Sequence, residues 1–489
     1  MDFSSMVNGD IARFLPYHMS KPLSVIQKDL GVKHLFRLNA SESPFGVSKK
    51  VRDVLASYEE RMAYFPDAHA YELKQKLKSI YGYNVNHITV GADTQELVSL
   101  LCRAFLNPDV NVIIPQLSSV NLERSAQLSG ARIITTGIMD DWTADLDAVL
   151  DSINERTRMV LISNPSNPLG AFNVYTDLEA FMELVPPDVI VVLDEELIDF
   201  LGPGYRDLYP LIVAHPNLLV LRSFSHAYGL ASLRIGYMLS GEEICGLINV
   251  LRDPYNVSQL ALDCACAALD DRSFVKRVVH AYDVERNRFR DFCGYYGLTM
   301  LNTRTSSVTI DFGTQAERYY NALVQLGIFT RPLSYLGLNT LINISMGRPN
   351  VTDYLLSKLE EFIVADSQAL KAAQEEEAAR IASADDSDES MENSRSKKRR
   401  SIAKRHHLRS KLGSPDDGSD EQLLAEMERE AAAKEAAVDA AHAADGADVS
   451  HATAVPDAAS ADTAATTDAA TVTAAAAAAT STADTHVAP

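Results

Sequence analysis

Lysine is missing from residues 79–275 of this 489-residue chain, although arginine recurs throughout that span. Chemistry that needs a primary amine, such as imine formation with a carbonyl, is therefore excluded there unless the amine comes from elsewhere. A guanidinium stays protonated and does not substitute. No Phe, Tyr or Trp follows Phe362, and Ala, Asp, Glu, Ser and Thr take over. Such a segment cannot bury enough apolar surface to offset its ordering entropy. Residues 366–489 are expected to be disordered, with one candidate helix around Asp420–Ala441. No run of 18 apolar residues exists, so no membrane-spanning helix is expected. The first residues also lack a positively charged start followed by an apolar core. The five cysteines (Cys102, Cys245, Cys264, Cys266 and Cys293) show neither metal nor disulfide spacing, which fits a reducing cytoplasm. The expectation is a soluble, cytoplasmic protein with no membrane partner.

The formal net charge is -21, yet Arg395–Lys411 forms a dense basic block. It lies between the acidic runs Glu375–Glu377, Asp385–Glu389 and Asp416–Glu430, so self-attraction competes with binding of an acidic partner. Without aromatic residues for base stacking, specific nucleic-acid recognition is not expected.

The first 362 residues read as globular. Short apolar, β-rich runs occur at His87–Gly91, Val112–Ile114, Ile133–Thr136, Met159–Ser163, Val189–Asp194, Leu218–Arg222 and Ile235–Leu239. Helix-length amphipathic stretches separate them, which predicts an α/β fold with a mostly parallel seven-stranded sheet covered on both faces. Two further strands, Ser307–Asp311 and Leu341–Met346, belong to a smaller αβ C-terminal domain. The expected organisation is an arm over 1–34, a large domain over 35–255, a small domain over 256–365 and the tail over 366–489. Ligands in such folds bind outside the carboxyl ends of the strands.

Several motifs fall at those ends. They are Arg37-Leu38-Asn39-Ala40-Ser41-Glu42-Ser43-Pro44-Phe45-Gly46, Phe65-Pro66-Asp67, Ser163-Asn164-Pro165-Ser166-Asn167-Pro168-Leu169-Gly170, Val191-Val192-Leu193-Asp194-Glu195-Glu196 and Ser223-Phe224-Ser225-His226-Ala227-Tyr228-Gly229. In order and spacing this set resembles the class I/II aminotransferases of fold type I, and most closely the histidinol-phosphate aminotransferases, over about Leu35 to Phe362. The resemblance implies a pyridoxal-phosphate transferase fold, a homodimer that builds its site between subunits, and pyridoxal or pyridoxamine phosphate as cofactor. Asp194 would face the pyridine nitrogen and Asn167 the ring 3-oxygen. Ser223, Ser225 and Arg234 would hold the phosphate, and Arg331 is a candidate for an anionic substrate group. The same Asp, Asn and Arg can equally persist as a hydrogen-bonded structural network.

The departures concern the chemistry. His226 stands where the family has its imine-forming lysine, and imidazole carries no primary amine. Leu197 replaces the tyrosine that bonds the 3-oxygen, and Ser119 the ring-stacking aromatic. Phe65 replaces the tyrosine lent by the neighbouring subunit, with Tyr64 beside it. Asn343 replaces the arginine that clamps the substrate anion. Asp93 and Glu96, just after Gly91, spell a capping box whose carboxylate would take the helix N–H groups that a phosphate needs. The reading is an aminotransferase-like protein impaired or inactive as a transaminase, acting as a scaffold or regulatory partner, with a heteromeric partner left open. Two alternatives stand beside it: a lysine-independent pyridoxamine-phosphate enzyme with His226 as base, and a binding protein for a phosphorylated metabolite using Arg234 and Arg331.

Overall fold

The computed structural model describes Met6 and residues 23–403; for residues 23, 60, 203, 204 and 378–403 it is the backbone alone that is considered. Seven strands form the main sheet: β1 (Ile88–Gly91), β2 (Asn111–Pro115), β3 (Arg132–Thr136), β4 (Thr157–Ser163), β5 (Ile190–Asp194), β6 (Leu218–Ser223) and β7 (Gly236–Leu239). Their spatial order is β1-β7-β6-β5-β4-β2-β3. All neighbours are parallel except β7, which runs antiparallel to both β1 and β6. Each expected run is one of these strands. Successive side chains point to opposite faces, and the alternation divides them cleanly. Val160, Ile162, Val191, Leu193 and Val220 enter one buried cluster, whereas Met159, Leu161, Val192, Leu219 and Leu221 enter another. Burial on both faces explains why these strands read as continuous apolar runs.

Two of the helices that pack on this sheet bear on the site. One is α1 (Tyr71–Tyr81), whose Leu73 and Leu77 enter the first buried cluster. The other is α2 (Asp93–Phe105), which leaves β1 after a single connecting residue. A long helix, α3 (Arg272–Tyr296), then leads to a four-stranded antiparallel sheet made of β8 (Thr299–Met300), β9 (Ser307–Asp311), β10 (Arg331–Leu333) and β11 (Leu338–Ser345), in the order β10-β11-β9-β8. Val308, Ile310, Ile342 and Ile344 from that sheet pack with Val278, Tyr282 and Phe289 of α3.

The change of core does not fall at residue 256. Helix Gln259–Leu269 buries Ala261, Leu262, Cys264 and Ala265 with Val51, Leu73 and Leu77 in the first cluster, so the large-domain core extends through Leu269. Conversely, Phe36–Arg37 pairs in parallel with Ile328–Phe329, and Leu38 enters the small-domain cluster. Apolar pattern locates a strand or helix but not the core that receives its apolar face.

The last helix, α4, runs from Pro349 to Ala403. Proline suits its first turn, and no Gly or Pro interrupts residues 350–412. Leu355 and Leu359 are buried, and Asp366 accepts a hydrogen bond from the Tyr319 hydroxyl at 2.7 Å and pairs with Arg318. From 367 to 377 every residue is exposed. The tail thus begins as a helix with no core of its own; its start is helical where the composition predicts disorder from residue 366. The second compact unit starts at Asp385. The candidate helix at 420–441 and the basic block after Ala403 lie outside the described residues.

Candidate functional site

The carboxyl ends of β1, β5 and β6 bring Asp93, Asp194 and Ser223 to one edge of the sheet. Asp93, the first residue of α2, has φ +70°, a left-handed conformation that favours glycine. Its buried carboxylate is a hub. Oδ1 accepts from the Thr94 backbone N–H at 2.9 Å and from the Ser223 hydroxyl at 2.6 Å. Oδ2 accepts from the Ser225 hydroxyl at 2.6 Å and faces the Arg234 guanidinium at 2.6 Å. Ser223, Ser225 and Arg234, singled out as one anion-binding set, do converge, and the anion they hold is the chain's own.

The expected capping box is present only in part. Asp93 lies inside the helix rather than before it and reaches one backbone N–H, that of Thr94. Glu96 supplies the returning half, accepting from the Ala92 N–H at 2.5 Å and from Asn256 Nδ2 at 2.7 Å. The left-handed backbone at Asp93 directs its carboxylate toward the strand ends instead of the helix's free donors.

A second cluster surrounds His226. Its Nδ1 lies 3.0 Å from the Ser41 carbonyl, so this nitrogen carries a proton and donates. Nε2 is 3.8 Å from Glu196 Oε2, a contact that is an ion pair rather than a hydrogen bond. The other carboxylate oxygen of Glu196 accepts from Asn167 Nδ2 at 2.5 Å. Burial alone would push the His226 pKa down, but the Glu196 carboxylate and the Ser41 carbonyl outweigh it and raise it to about 9. Burial likewise opposes ionisation of Glu196, and His226 and Asn167 reverse that and hold its pKa below the usual value. Asp194 accepts from the Glu196 backbone N–H at 3.2 Å. Burial first, then the Glu196 and Asp93 charges, raise its carboxyl well above the ordinary range. Arg331 joins through Asn167, its Nη1 3.4 Å from Oδ1, and its guanidinium lies 5.3 Å from the Tyr335 ring centre. Three residues on, the loop packs closely against the 41–47 segment: a Cβ at Gly229 (φ +76°) would collide with the Gly46 carbonyl.

Three of the positions read as losses, Leu197, Ser119 and Asn343, are buried. Leu197 is buried in the small-domain core, and Ser119 is buried just before helix Val120–Leu128. Asn343 Nδ2 donates to the Pro168 carbonyl, Ser307 Oγ and Thr309 Oγ1 at 2.9–3.0 Å. Tyr64 and Phe65 are exposed, with Phe65 stacked on Tyr255 at 4.9 Å.

Glu196 is the residue that reading the motifs missed. The available signal was three consecutive acids, Asp194-Glu195-Glu196, closing a buried strand, where a strand end rarely satisfies more than one. Glu195 turns the other way: Arg222 Nε donates to its Oε2 at 2.9 Å, and Arg222 Nη1 meets Asp207 at 3.0 Å and the Tyr83 hydroxyl at 2.6 Å.

Residues 33–359 match the model of the aminotransferase class I and II family. The chain belongs to that family. It is 33% identical to histidinol-phosphate aminotransferase 1 of Mannheimia succiniciproducens over 362 residues, 73% of this chain and 98% of that protein. It is 32% identical to histidinol-phosphate aminotransferase of Bacillus subtilis strain 168, covering 71% of this chain and 97% of the relative. The crystal structure of histidinol-phosphate aminotransferase from Sinorhizobium meliloti, in complex with pyridoxal-5'-phosphate, matches with TM-score 0.66 at 26% identity, over 71% of this chain and 96% of its own. The family is thus histidinol-phosphate-aminotransferase-like and pyridoxal-phosphate-dependent.

Tested against that cofactor, the residues present do not fit it. Ser223, Ser225 and Arg234, the side-chain donors that a phosphate would use, hold the Asp93 carboxylate instead. Asn167 is taken by Glu196, and the position of the imine-forming lysine holds an imidazole paired to the same carboxylate.

Proposed function

We propose that this aminotransferase-family chain does not transaminate through a lysine-bound cofactor and acts as a scaffold or regulatory partner. One observation carries the reading: His226, without a primary amine, is held between the Ser41 carbonyl and Glu196. The lysine-free span from 79 to 275 leaves no nearby substitute. The proposed assembly is a homodimer. Met62, Tyr64, Phe65, Tyr71, Val250 and Tyr255 are large apolar or aromatic side chains left exposed, with Phe65 and Tyr255 stacked on each other, and exposed apolar groups of this kind favour association. The five free thiols suit a cytoplasmic location, and no described helix is long and apolar enough to cross a membrane.

A lysine-independent enzyme with His226 as general base is disfavoured. With a pKa near 9 the ring is protonated at neutral pH and has no lone pair to offer. A phosphorylated-metabolite site built on Arg234 is opposed by Asp93, which already neutralises that guanidinium.

The test is chemical. The purified full chain is incubated with pyridoxal phosphate, reduced with borohydride and digested. No phosphopyridoxyl-lysine peptide should appear from the residues around the site. Recovery of one, from any lysine that reaches His226, overturns the proposal.

A further inference from the structure

A cavity of about 760 Å³ lies elsewhere in the same unit. None of Asp93, Asn167, Glu196, His226 or Arg234 lines it, although Ser223 does. One wall is a stripe of α3: Arg272, Val275, Lys276, Val279, His280 and Asp283. Their spacing of three and four residues puts them on one helical face. The opposite wall is aromatic, formed by Tyr81, Tyr205, Phe224, Tyr228 and Tyr237. Phe224 anchors that wall by packing against both Tyr228 and Tyr237, at 5.0 and 5.8 Å.

The charges in this wall do not balance. Arg222 is the buried cation, and it serves both Glu195 and Asp207. Asp199 is a third carboxyl beside them, facing the cavity. Among the described residues no lysine or arginine makes an ion pair with it. It is enclosed by protein yet keeps access to the cavity, and that enclosure raises its pKa to about 6, partly offset by Arg222 and the Tyr228 hydroxyl and, more weakly, by the charges of His226 and Arg272. At neutral pH it is therefore ionised, with two other carboxylates drawing on the same guanidinium. Aromatic faces around an under-compensated carboxylate recognise an organic cation. The exposed edge of the stripe has the opposite character. Arg272 and Lys276 stand there one turn apart, both exposed, and attract an acidic group.

We infer that this cavity binds a small zwitterion, an ammonium group against Asp199 and a carboxylate at the Arg272–Lys276 edge, joined by an apolar or aromatic body between the tyrosine wall and Val275 and Val279. The volume is within the range of small-molecule sites. The two charged ends share no residue with the cluster around His226, so the assignment stands whether or not the chain is a transaminase.

The experiment is calorimetric titration of the full chain with para-aminomethylbenzoate, and with its two halves, benzylamine and benzoate. The whole zwitterion should bind, and each half more weakly. Asp199→Asn should weaken para-aminomethylbenzoate and benzylamine by about tenfold, the worth of one partly screened ion pair, while benzoate binds as well or better. Lys276→Met should weaken para-aminomethylbenzoate and benzoate and spare benzylamine. That opposite sorting of the two halves is not produced by a variant that merely loosens the fold. Failure of all three probes to bind at millimolar concentration overturns the inference, as does an equal effect of Asp199→Asn on benzylamine and benzoate.

Discussion

The Asp93 carboxylate sits 2.6 Å from the Arg234 guanidinium and takes the Ser223 and Ser225 hydroxyls at the same distance. Both residues of this ion pair have left-handed backbone, φ +70° at Asp93 and +49° at Arg234. For residues other than glycine such a conformation costs about 1–2 kcal/mol each. The pair holds because two hydroxyls, a backbone N–H and a guanidinium converge on one carboxylate, and hydrogen bonds to a charged group contribute about 1.5–3 kcal/mol apiece. The chain thereby supplies, from the Asp93 side chain, the anion that this donor set requires.

Replacing Asp93 with glycine relieves the backbone and removes the anion together. In phosphate-free buffer Asp93→Gly should lower stability by about 1–3 kcal/mol, because the lost charged hydrogen bonds outweigh the relieved strain. Inorganic phosphate should then raise the variant's Tm by mass action and leave the wild type unchanged. Thermal melts with and without phosphate decide this. A wild type stabilised by phosphate as strongly as the variant would show that Asp93 does not block the donors.

His226 and Glu196 predict a pH dependence. The folded His226 pKa of about 9 lies above the ordinary imidazole value near 6.5. Its contribution is therefore full below about pH 6.5 and is lost as pH rises through about 9. Glu196 shifts the opposite way; its contribution is present above the ordinary glutamate range and lost as pH falls. The pair stabilises most between those limits. Relative to wild type, His226→Gln should lose about 1–3 kcal/mol near pH 6.5 and converge toward it above pH 9. Denaturant melts across that range measure the difference. A constant gap at every pH would mean that the imidazole acts by packing alone.

Much of this fold is legible in the sequence because its strands are buried on both faces. Val191-Val192-Leu193 cannot be amphipathic in either period, so a short β-branched run between turn residues marks a strand directly. The motif residues Asn167, Asp194, Ser223, Ser225, His226 and Arg234 are legible for a related reason: each lies at a strand end or in the loop after it. What a motif does not reveal is direction. Glu195 and Glu196 are adjacent, yet one meets Arg222 and the other His226, and only the turn after β5 decides which. The left-handed φ of Asp93 is equally invisible, since nothing in Gly91-Ala92-Asp93 requires it. The long α4 misleads from the other side. Past Phe362 its lack of aromatics signals that it gains no further core, but Ala-, Glu- and Lys-rich sequence without Gly or Pro keeps helical propensity all the same.

The tail offers a sharp boundary. Removing residues 367–489 should leave the Tm of the remaining chain within a degree or so, because 367–377 are all exposed and bury little apolar area. Removing one residue more deletes Asp366, which holds the Tyr319 hydroxyl at 2.7 Å and pairs with Arg318, and should cost about 1 kcal/mol. Thermal melts of the two truncations test it. A drop of many degrees in the longer one would mean that residues beyond 366 dock on the domain.

Restoring the amine should not by itself restore cofactor chemistry. In His226→Lys the new ammonium faces Glu196, which is already held by Asn167 at 2.5 Å, and an ion pair there keeps the amine protonated and non-nucleophilic. Asp93 still fills the phosphate donors. Incubated with pyridoxal phosphate, His226→Lys should therefore show little imine absorbance. Asp93→Gly/His226→Lys should show clearly more than the two single changes added together, since the groups they alter lie in neighbouring clusters that one ligand would have to occupy at once. Transaminase turnover should remain low in both, because Asn343, with all its amide contacts inside the small domain and to the Pro168 carbonyl, offers no clamp for a substrate anion. Visible absorbance titrations followed by borohydride trapping measure the binding, and a coupled amino-transfer assay the turnover. Full imine formation by His226→Lys alone would mean that Asp93 moves aside for a phosphate, and that the blockade rests on the missing lysine alone.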